Sequence, residues 1–271
     1  MGPSGIASAL EGVDSRAAGR YNPLKTTTFR EIFIMSGHSK WATTKHHKAA
    51  VDAKRGNLFT KLAREITIAA RLGDPSPDMN PRLRLAVLAA RKVSMPNDNI
   101  KRAIARALPD SGEGDYVEMR YEGYAPGGVS VIVECLTDNK NRSAAEVRAV
   151  FSKNGGNLGE TGSVSFNFDH AGLFVYPKSV AGFDDIFAAA AEAGALDAEE
   201  EDGSYMITCE IPAFGAVMKA LEKFGEPESA KIVWQPRTTI ELSDADYERL
   251  EGFVGLLEDH DDVQAVYHNA V

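Results

Sequence analysis

The amino-acid sequence predicts a multi-domain α+β fold: an N-terminal helical bundle followed by two α+β lobes, one ferredoxin-like and inserted in the other. Three observations carry that expectation. The apolar periodicity is helical up to residue 110 and strand-like after it. A complete strand–helix–strand–strand–helix–strand run fills residues 170–236, the order of a split βαβ unit. The segments on either side of that run, 111–169 and 237–271, each hold too few strands to close a stable sheet alone, so they read as halves of one discontinuous domain. A length of 271 residues accommodates two or three such units at roughly 150 residues per domain.

Residues 1–35 show no sustained periodicity and no continuous apolar stretch of the secretory kind. They read as a disordered leader or upstream-start extension, with translation beginning naturally at Met35. Residues 36–110 form the helical unit. Phe59, Leu62, Ile66 and Ala69 or Ala70 recur on one helix face, and the pattern stops at Gly73 before Pro75 and Pro77. Asn80 is placed to cap the next helix, with Pro81 at its first position. Leu83, Ala86, Val87 and Ala90 make its stripe. After Pro96, Asn97 or Asp98 is expected to cap a third helix, whose core face is Ile100, Ala103, Ile104, Ala107 and Leu108. Pro109 and the Asp-Ser-Gly-Glu-Gly run read as a linker.

Beyond the linker, Tyr116–Tyr124 and Val129–Leu136 read as strands joined at Pro126-Gly127-Gly128. Arg142–Lys153 is an amphipathic helix stopped by Asn154-Gly155-Gly156. Val164–Phe168 is expected as a strand. The inserted run comprises Leu173–Tyr176, Phe183–Ala193, Ala195–Glu199, Tyr205–Ile211, Ala213–Phe224 and Ala230–Gln235. A strand at Thr238–Leu242, a helix from the cap Ser243 to Glu258 and a strand at Val263–His268 close the chain. In that helix Ser243 and Asp246 resemble a capping box, with Leu250, Phe253, Val254 and Leu257 on the buried stripe.

Composition excludes several function classes. With 44% hydrophobic and 25% charged residues, the chain is neither collagen-like nor wholly disordered. No apolar run approaches the roughly 18 residues of a membrane span. Cys135 and Cys209 lie in strand-like apolar runs and are expected as buried reduced thiols, consistent with a cytoplasmic location. The charge, net −9 overall, is unevenly spread: residues 36–110 hold 15 basic and 6 acidic groups, whereas 111–271 hold 11 basic and 30 acidic. A basic head on an acidic body points to a polyanion partner. The plainer alternative is that the head docks on the body.

No P-loop, HExxH or CxxC occurs, so no enzymatic activity, cofactor or small-molecule substrate is expected. A metal site at His38, His46 and His47 is disfavoured, because adjacent histidines on a helix point about 100° apart and the only nearby acid is Asp52. The glycine-rich run Gly155 to Gly162 follows a helix, carries Glu160 and has no Lys, which fits a loop of unusual backbone angles better than a phosphate cradle. The acidic run at residues 199–202 reads as a solvated hairpin turn. The cluster Glu258-Asp259-His260-Asp261-Asp262 reads as a solvent-facing helix end, with a weak cation site as the alternative. The strongest signal is in the head. His38, Lys40, Trp41, Lys45, His46, Lys48, Lys54, Arg55, Lys61 and Arg64 are the candidate nucleic-acid-binding residues, since Lys and Arg neutralise phosphates without reading sequence. Trp41 either stacks on a base or packs the N-terminal arm onto the bundle. Lys101, Arg102 and Arg106 lie off the apolar stripe, where they extend the same surface or keep it solvated.

Ser36-Gly37-His38-Ser39-Lys40-Trp41-Ala42, with Lys45-His46 and Asp52-Ala53-Lys54-Arg55-Gly56, resembles the opening signature of the YebC/PmpR family. Met95 to Ile100, Tyr121 to Gly128 and Asn154 to Ser165 resemble its later hallmarks, and the likeness runs from Met35 to the C-terminus. His47 departs from the Arg or Lys of many relatives. The resemblance implies a cytoplasmic protein with a helical N-terminal domain and two α+β lobes, similar to DNA-binding transcriptional regulators. A mitochondrial relative instead activates translation, and other bacterial relatives are linked to ribosomes. DNA is therefore the first expected partner and the ribosome with its ribosomal RNA the alternative; no membrane partner is expected.

Overall fold

The structure, a computed structural model, describes residues 48–107, 116–201 and 203–271, with side chains of the first helix described from residue 56 onward. The expectations placed on residues 1–47 and on the linker lie outside these residues.

The fold is mixed α+β: among the described residues three helices precede two four-stranded antiparallel sheets. Helix α1 (Lys48–Leu72) packs against α2 (Pro81–Lys92) and α3 (Asn97–Ala105). Ile66, Ala69, Leu83, Val87, Ala90, Met95 and Ile100 form their common core. The Thr67 hydroxyl lies 2.9 Å from the carbonyl oxygens of both Ala63 and Ala103, which ties α1 to α3. Asn80 caps α2 by accepting from the Leu83 N–H at 3.1 Å, and its amide donates to Ala69 O at 2.7 Å. The start of α3 differs from expectation. Pro96 is its N-cap, with extended backbone and no side-chain cap, and Asn97 is already helical. The proline fixes the turn, so neither Asn97 nor Asp98 caps the helix.

Strands β1 (Val117–Tyr124) and β2 (Ser130–Thr137) form a hairpin, followed by α4 (Lys140–Lys153) and the two-residue β3 (Asn157–Leu158). The second sheet draws on β4 (Phe168–Pro177), β5 (Ala195–Glu201), β6 (Ser204–Glu210) and β7 (Ser229–Pro236), with α5 (Phe183–Glu192) and α6 (Phe214–Leu221) between them. Helix α7 (Asp244–Glu258), capped by Ser243, and β8 (Val263–His268) return the chain to the first sheet. The first sheet runs β3-β1-β2-β8 and the second β5-β6-β4-β7.

Strand alternation explains how the two lobes meet. Val131, Val133 and Cys135 of β2 face α4 and α7, joining Val147, Phe151, Leu250 and Phe253 in one core. Phe151 and Phe253 meet edge-on at 5.0 Å. Ile132, on the opposite face and paired with Tyr267, joins Leu173, Met206, Val233 and Trp234 of the second sheet. On that sheet Phe174, Tyr176 and Ile207 pack under Ile186, Val217 and Leu221 of α5 and α6. Both cysteines are buried and free. Among the described residues no helix is long and apolar enough to cross a membrane.

Two expected strands are absent. Val164 precedes a 3₁₀ turn at Ser165–Asn167, and pairing starts only at Phe168. The Val164 and Ser165 N–H groups donate to the Glu122 carboxylate at 3.0 and 2.9 Å, so they are not available to a ladder. The segment 238–242 makes a single isolated parallel bridge, Ile240 to Ala270, in which the Ile240 N–H donates to Asn269 O at 2.7 Å and the Ile240 carbonyl accepts from the Val271 N–H at 2.9 Å.

Candidate nucleic-acid interface

Of the ten candidate residues, His38, Lys40, Trp41, Lys45 and His46 lie outside the described residues. Lys48, Lys54 and Arg55 lie in the first turns of α1, whose backbone alone is described. One helix therefore carries Lys48, Lys54 and Arg55 in its first turns and Ile66 and Ala69 of the bundle core farther along.

The remaining two, Lys61 and Arg64, are engaged within the molecule. Lys61 Nζ donates to the carbonyl oxygen of Glu258. Arg64 donates to Asp261 O and to Asp262 Oδ1, the latter at 2.9 Å. Asn57 adds a bond to Asp259 O at 3.3 Å. These acceptors close the C-terminus of α7, where unpaired carbonyls leave a partial negative charge that favours cations. Burial lowers the Lys61 pKa, against the opposing pull of Glu258, Asp259 and Asp261. Lys61 and Arg64 thus clasp the head to the first lobe, the docking arrangement that charge counting left open.

Within the 258–262 cluster Asp259 and Asp261 are exposed, as a solvated helix end would have them, but Asp262 is not. Asp262 is 1% exposed. Besides Arg64 it accepts from Ser143 Oγ at 2.7 Å, Arg142 at 2.9 Å and Thr137 Oγ1 at 3.0 Å. Burial alone would raise its pKa, but the bonds from Ser143, Arg142 and Thr137 outweigh it and hold the carboxyl below its usual range. Sequence reading missed this role because the donors are more than a hundred residues away along the chain, on β2, on α4 and on α1.

A second set of contacts fixes α2. Arg84 pairs with Glu222 at 2.8 Å, Lys92 Nζ donates to the carbonyls of Pro227 and Glu228, and Leu85 packs against the core under α5 and α6. Arg82 bridges Glu65 of α1 and Glu118 of β1. The acidic run at 199–201 belongs to edge strand β5, where Glu200 pairs with Lys178 at 2.6 Å.

What the head turns outward is α3. Lys101, Arg102 and Arg106 are exposed, and Arg102 reaches back to Asn99 Oδ1 at 2.5 Å. Between α3 and α1 lies a groove of about 340 Å³ whose lining includes Arg64, Arg102, Arg106, Phe59 and Tyr116. Arg64 lies over the Tyr116 ring, 5.7 Å from its centroid. Of this lining the sequence points to Arg64 as a binding residue and to Arg102 and Arg106 as extending the same surface or keeping it solvated; the groove itself arises from packing two helices that are distant in sequence.

The glycine-rich loop behaves as a structural loop. Gly155 has φ +76°, a conformation that side chains resist. Glu122, 1% exposed, anchors the loop through Val164 and Ser165. Burial raises the Glu122 pKa, and the backbone donors, aided by Arg120, bring it below its usual value. Two hallmark segments, 121–128 and 154–165, are therefore joined by one carboxylate.

Comparison with known proteins matches residues 39–109 to the TACO1/YebC N-terminal domain and residues 116–270 to the TACO1/YebC second and third domains. The crystal structure of a conserved hypothetical protein from Aquifex aeolicus is similar, at 42% identity and a TM-score of 0.72, over 86% of this chain and 96% of that one. The matched segments cover both the cationic head and the lobes that hold it, and the chain belongs to the TACO1/YebC family.

Proposed function

We propose that this chain is a non-enzymatic regulatory protein that binds nucleic acid through its helical head. Membership in the family supports a role of the transcription-regulator or translational-activator type. The observation that carries the reading is the residual cationic surface. Lys61, Arg64, Arg82, Arg84 and Lys92 are engaged with acceptors on the lobes or within the head. Lys101, Arg102 and Arg106 are exposed on and just after α3, and the first turns of α1 carry Lys48, Lys54 and Arg55. Such a surface grips phosphates by releasing counterions.

Duplex DNA, in a cytoplasmic transcriptional regulator, is the first target. One observation favours the second, a ribosomal-RNA-associated translation factor. A helix-turn-helix reader inserts its second helix into the major groove, whereas α2 is packed against the second lobe through Arg84, Leu85 and Lys92. Recognition of RNA by shape and backbone needs no inserted helix.

The test is gel retardation of duplex DNA and of structured ribosomal RNA across a salt series, with sedimentation of extract on sucrose gradients. Binding is expected to weaken with a log–log slope of about −0.9 per DNA phosphate contact. Reversing Lys45, Lys48, Lys54 and Arg55 to Glu should abolish it while the lobes stay folded. Absence of retardation of both polymers at low salt refutes the reading, and exclusive sedimentation in light fractions at every salt removes the ribosomal alternative.

A further inference from the structure

We propose that the groove between α1 and α3 is a pocket for one unpaired nucleotide of the bound strand. The proposal rests on the nucleic-acid reading and sharpens it from phosphate grip to a preference for unpaired bases.

Three features of the groove converge on that ligand. Its size, about 340 Å³, is at the small end of the range for ligand pockets, enough for one nucleotide and far too little for a duplex. Among the described residues its lining holds three arginines, Arg64 of them paired with Asp262, and no carboxylate, in a molecule whose net charge is −9. Arg102 and Arg106, four residues apart and both exposed, stand one helical turn from each other, the spacing that brings two guanidinium groups to one phosphate.

The rest of the lining suits a base. Phe59 and Tyr116 supply aromatic walls, and Met95, 5% exposed, supplies an apolar one. The Tyr116 ring is held from one side by the Arg64 guanidinium, itself fixed by Asp262 at 2.9 Å, so this wall is preorganised by the clasp to the first lobe. Asn99 brings an amide with both a donor and acceptors to the same groove, the functional group that matches the mixed edge of a base. Stacking tolerates every base because each has a π-face. A paired base would first have to leave its stack, a cost that is smallest for a nucleotide already unpaired. The pocket therefore selects loops, bulges and single strands over continuous duplex.

The full chain is titrated against RNA and DNA oligonucleotides carrying one 2-aminopurine in three settings: single-stranded, bulged in a duplex, and fully paired. The unpaired settings are expected to bind about tenfold tighter than the paired one, with quenching of the 2-aminopurine as it stacks. The RNA and DNA arms identify which strand supplies the nucleotide. Tyr116→Ala and Arg102→Ala, each checked for fold by circular dichroism, should erase the preference and the quenching. Arg249→Ala, on α7, should bind like the parent. Equal affinity in all three settings without quenching overturns the pocket while leaving phosphate binding intact. Retained preference in both groove variants also overturns it. Failure of every oligonucleotide to bind removes the nucleic-acid reading along with the pocket.

Discussion

Replacing Asp262 by Asn tests the clasp between the head and the first lobe. The carboxylate is 1% exposed and serves Arg64, Arg142, Ser143 and Thr137 on its two oxygens. Asparagine keeps the shape, removes the charge and turns one acceptor into a donor aimed at other donors. A charge-assisted bond contributes about 1.5–3 kcal/mol, which applies to Arg64, whose side chain is 17% exposed. Arg142 is 43% exposed, so its pairing adds only about 0–1 kcal/mol. With one hydroxyl left unpaired, the expected loss is about 2–4 kcal/mol, or a drop in Tm of roughly 6–12 °C near the middle of that range. The pH profile carries a sign. Because the folded carboxyl is held below its usual range, its stabilisation is present above the unfolded value of about 4 and fades as the pH falls below it. Calorimetric melts at pH 7 and on a series down to pH 3 should therefore show the parent and the Asp262→Asn protein converging in acid. A Tm difference under about 2 °C at pH 7, or a gap that does not narrow in acid, refutes the account of Asp262.

Gly123 of β1 lies so close to β3 that an added Cβ would fall 2.5 Å from Asn157 O and 2.7 Å from the Phe151 ring. Gly123→Ala should cost about 1–3 kcal/mol in urea unfolding, and a neutral result would show that β3 does not hold its place against β1. Burial pushes the Cys135 thiol up to about 12 and raises Cys209 as well. Neither thiol should react with Ellman's reagent at pH 8 until the protein is unfolded, and rapid labelling of the native protein would contradict their burial.

Much of the fold was legible because local chemistry and tertiary packing agree. Asn80 with Pro81 announces α2, Ser243 with Asp246 announces α7, and the apolar alternation of Val263–His268 marks β8 with its observed bounds. The failures have a common cause. Val164 to Phe168 has strand-like residues, but a carboxylate forty residues upstream takes the backbone donors that a ladder would need. Thr238–Leu242 has the alternation of a strand, yet its contact with the C-terminal segment is one isolated bridge, Ile240 to Ala270. The candidate site divides the same way. Cationic residues of the head were visible as a charge excess, whereas which of them are spent depends on carbonyls and carboxylates brought from residues 222–262.

The sequence by itself determined where the helices and most strands lie, that a cationic unit precedes an anionic one, and which hallmark segments mark the family, since periodicity, caps and charge are properties of neighbours along the chain. Only the tertiary structure decided that Lys61 and Arg64 close a clasp on α7, that Asp262 is a buried anchor rather than a solvated end, and that Arg102, Arg106 and Tyr116 share one groove. Those outcomes depend on distances between residues far apart in sequence, and an electrostatic or hydrogen-bonding partner is chosen by distance in space, which no one-dimensional pattern encodes.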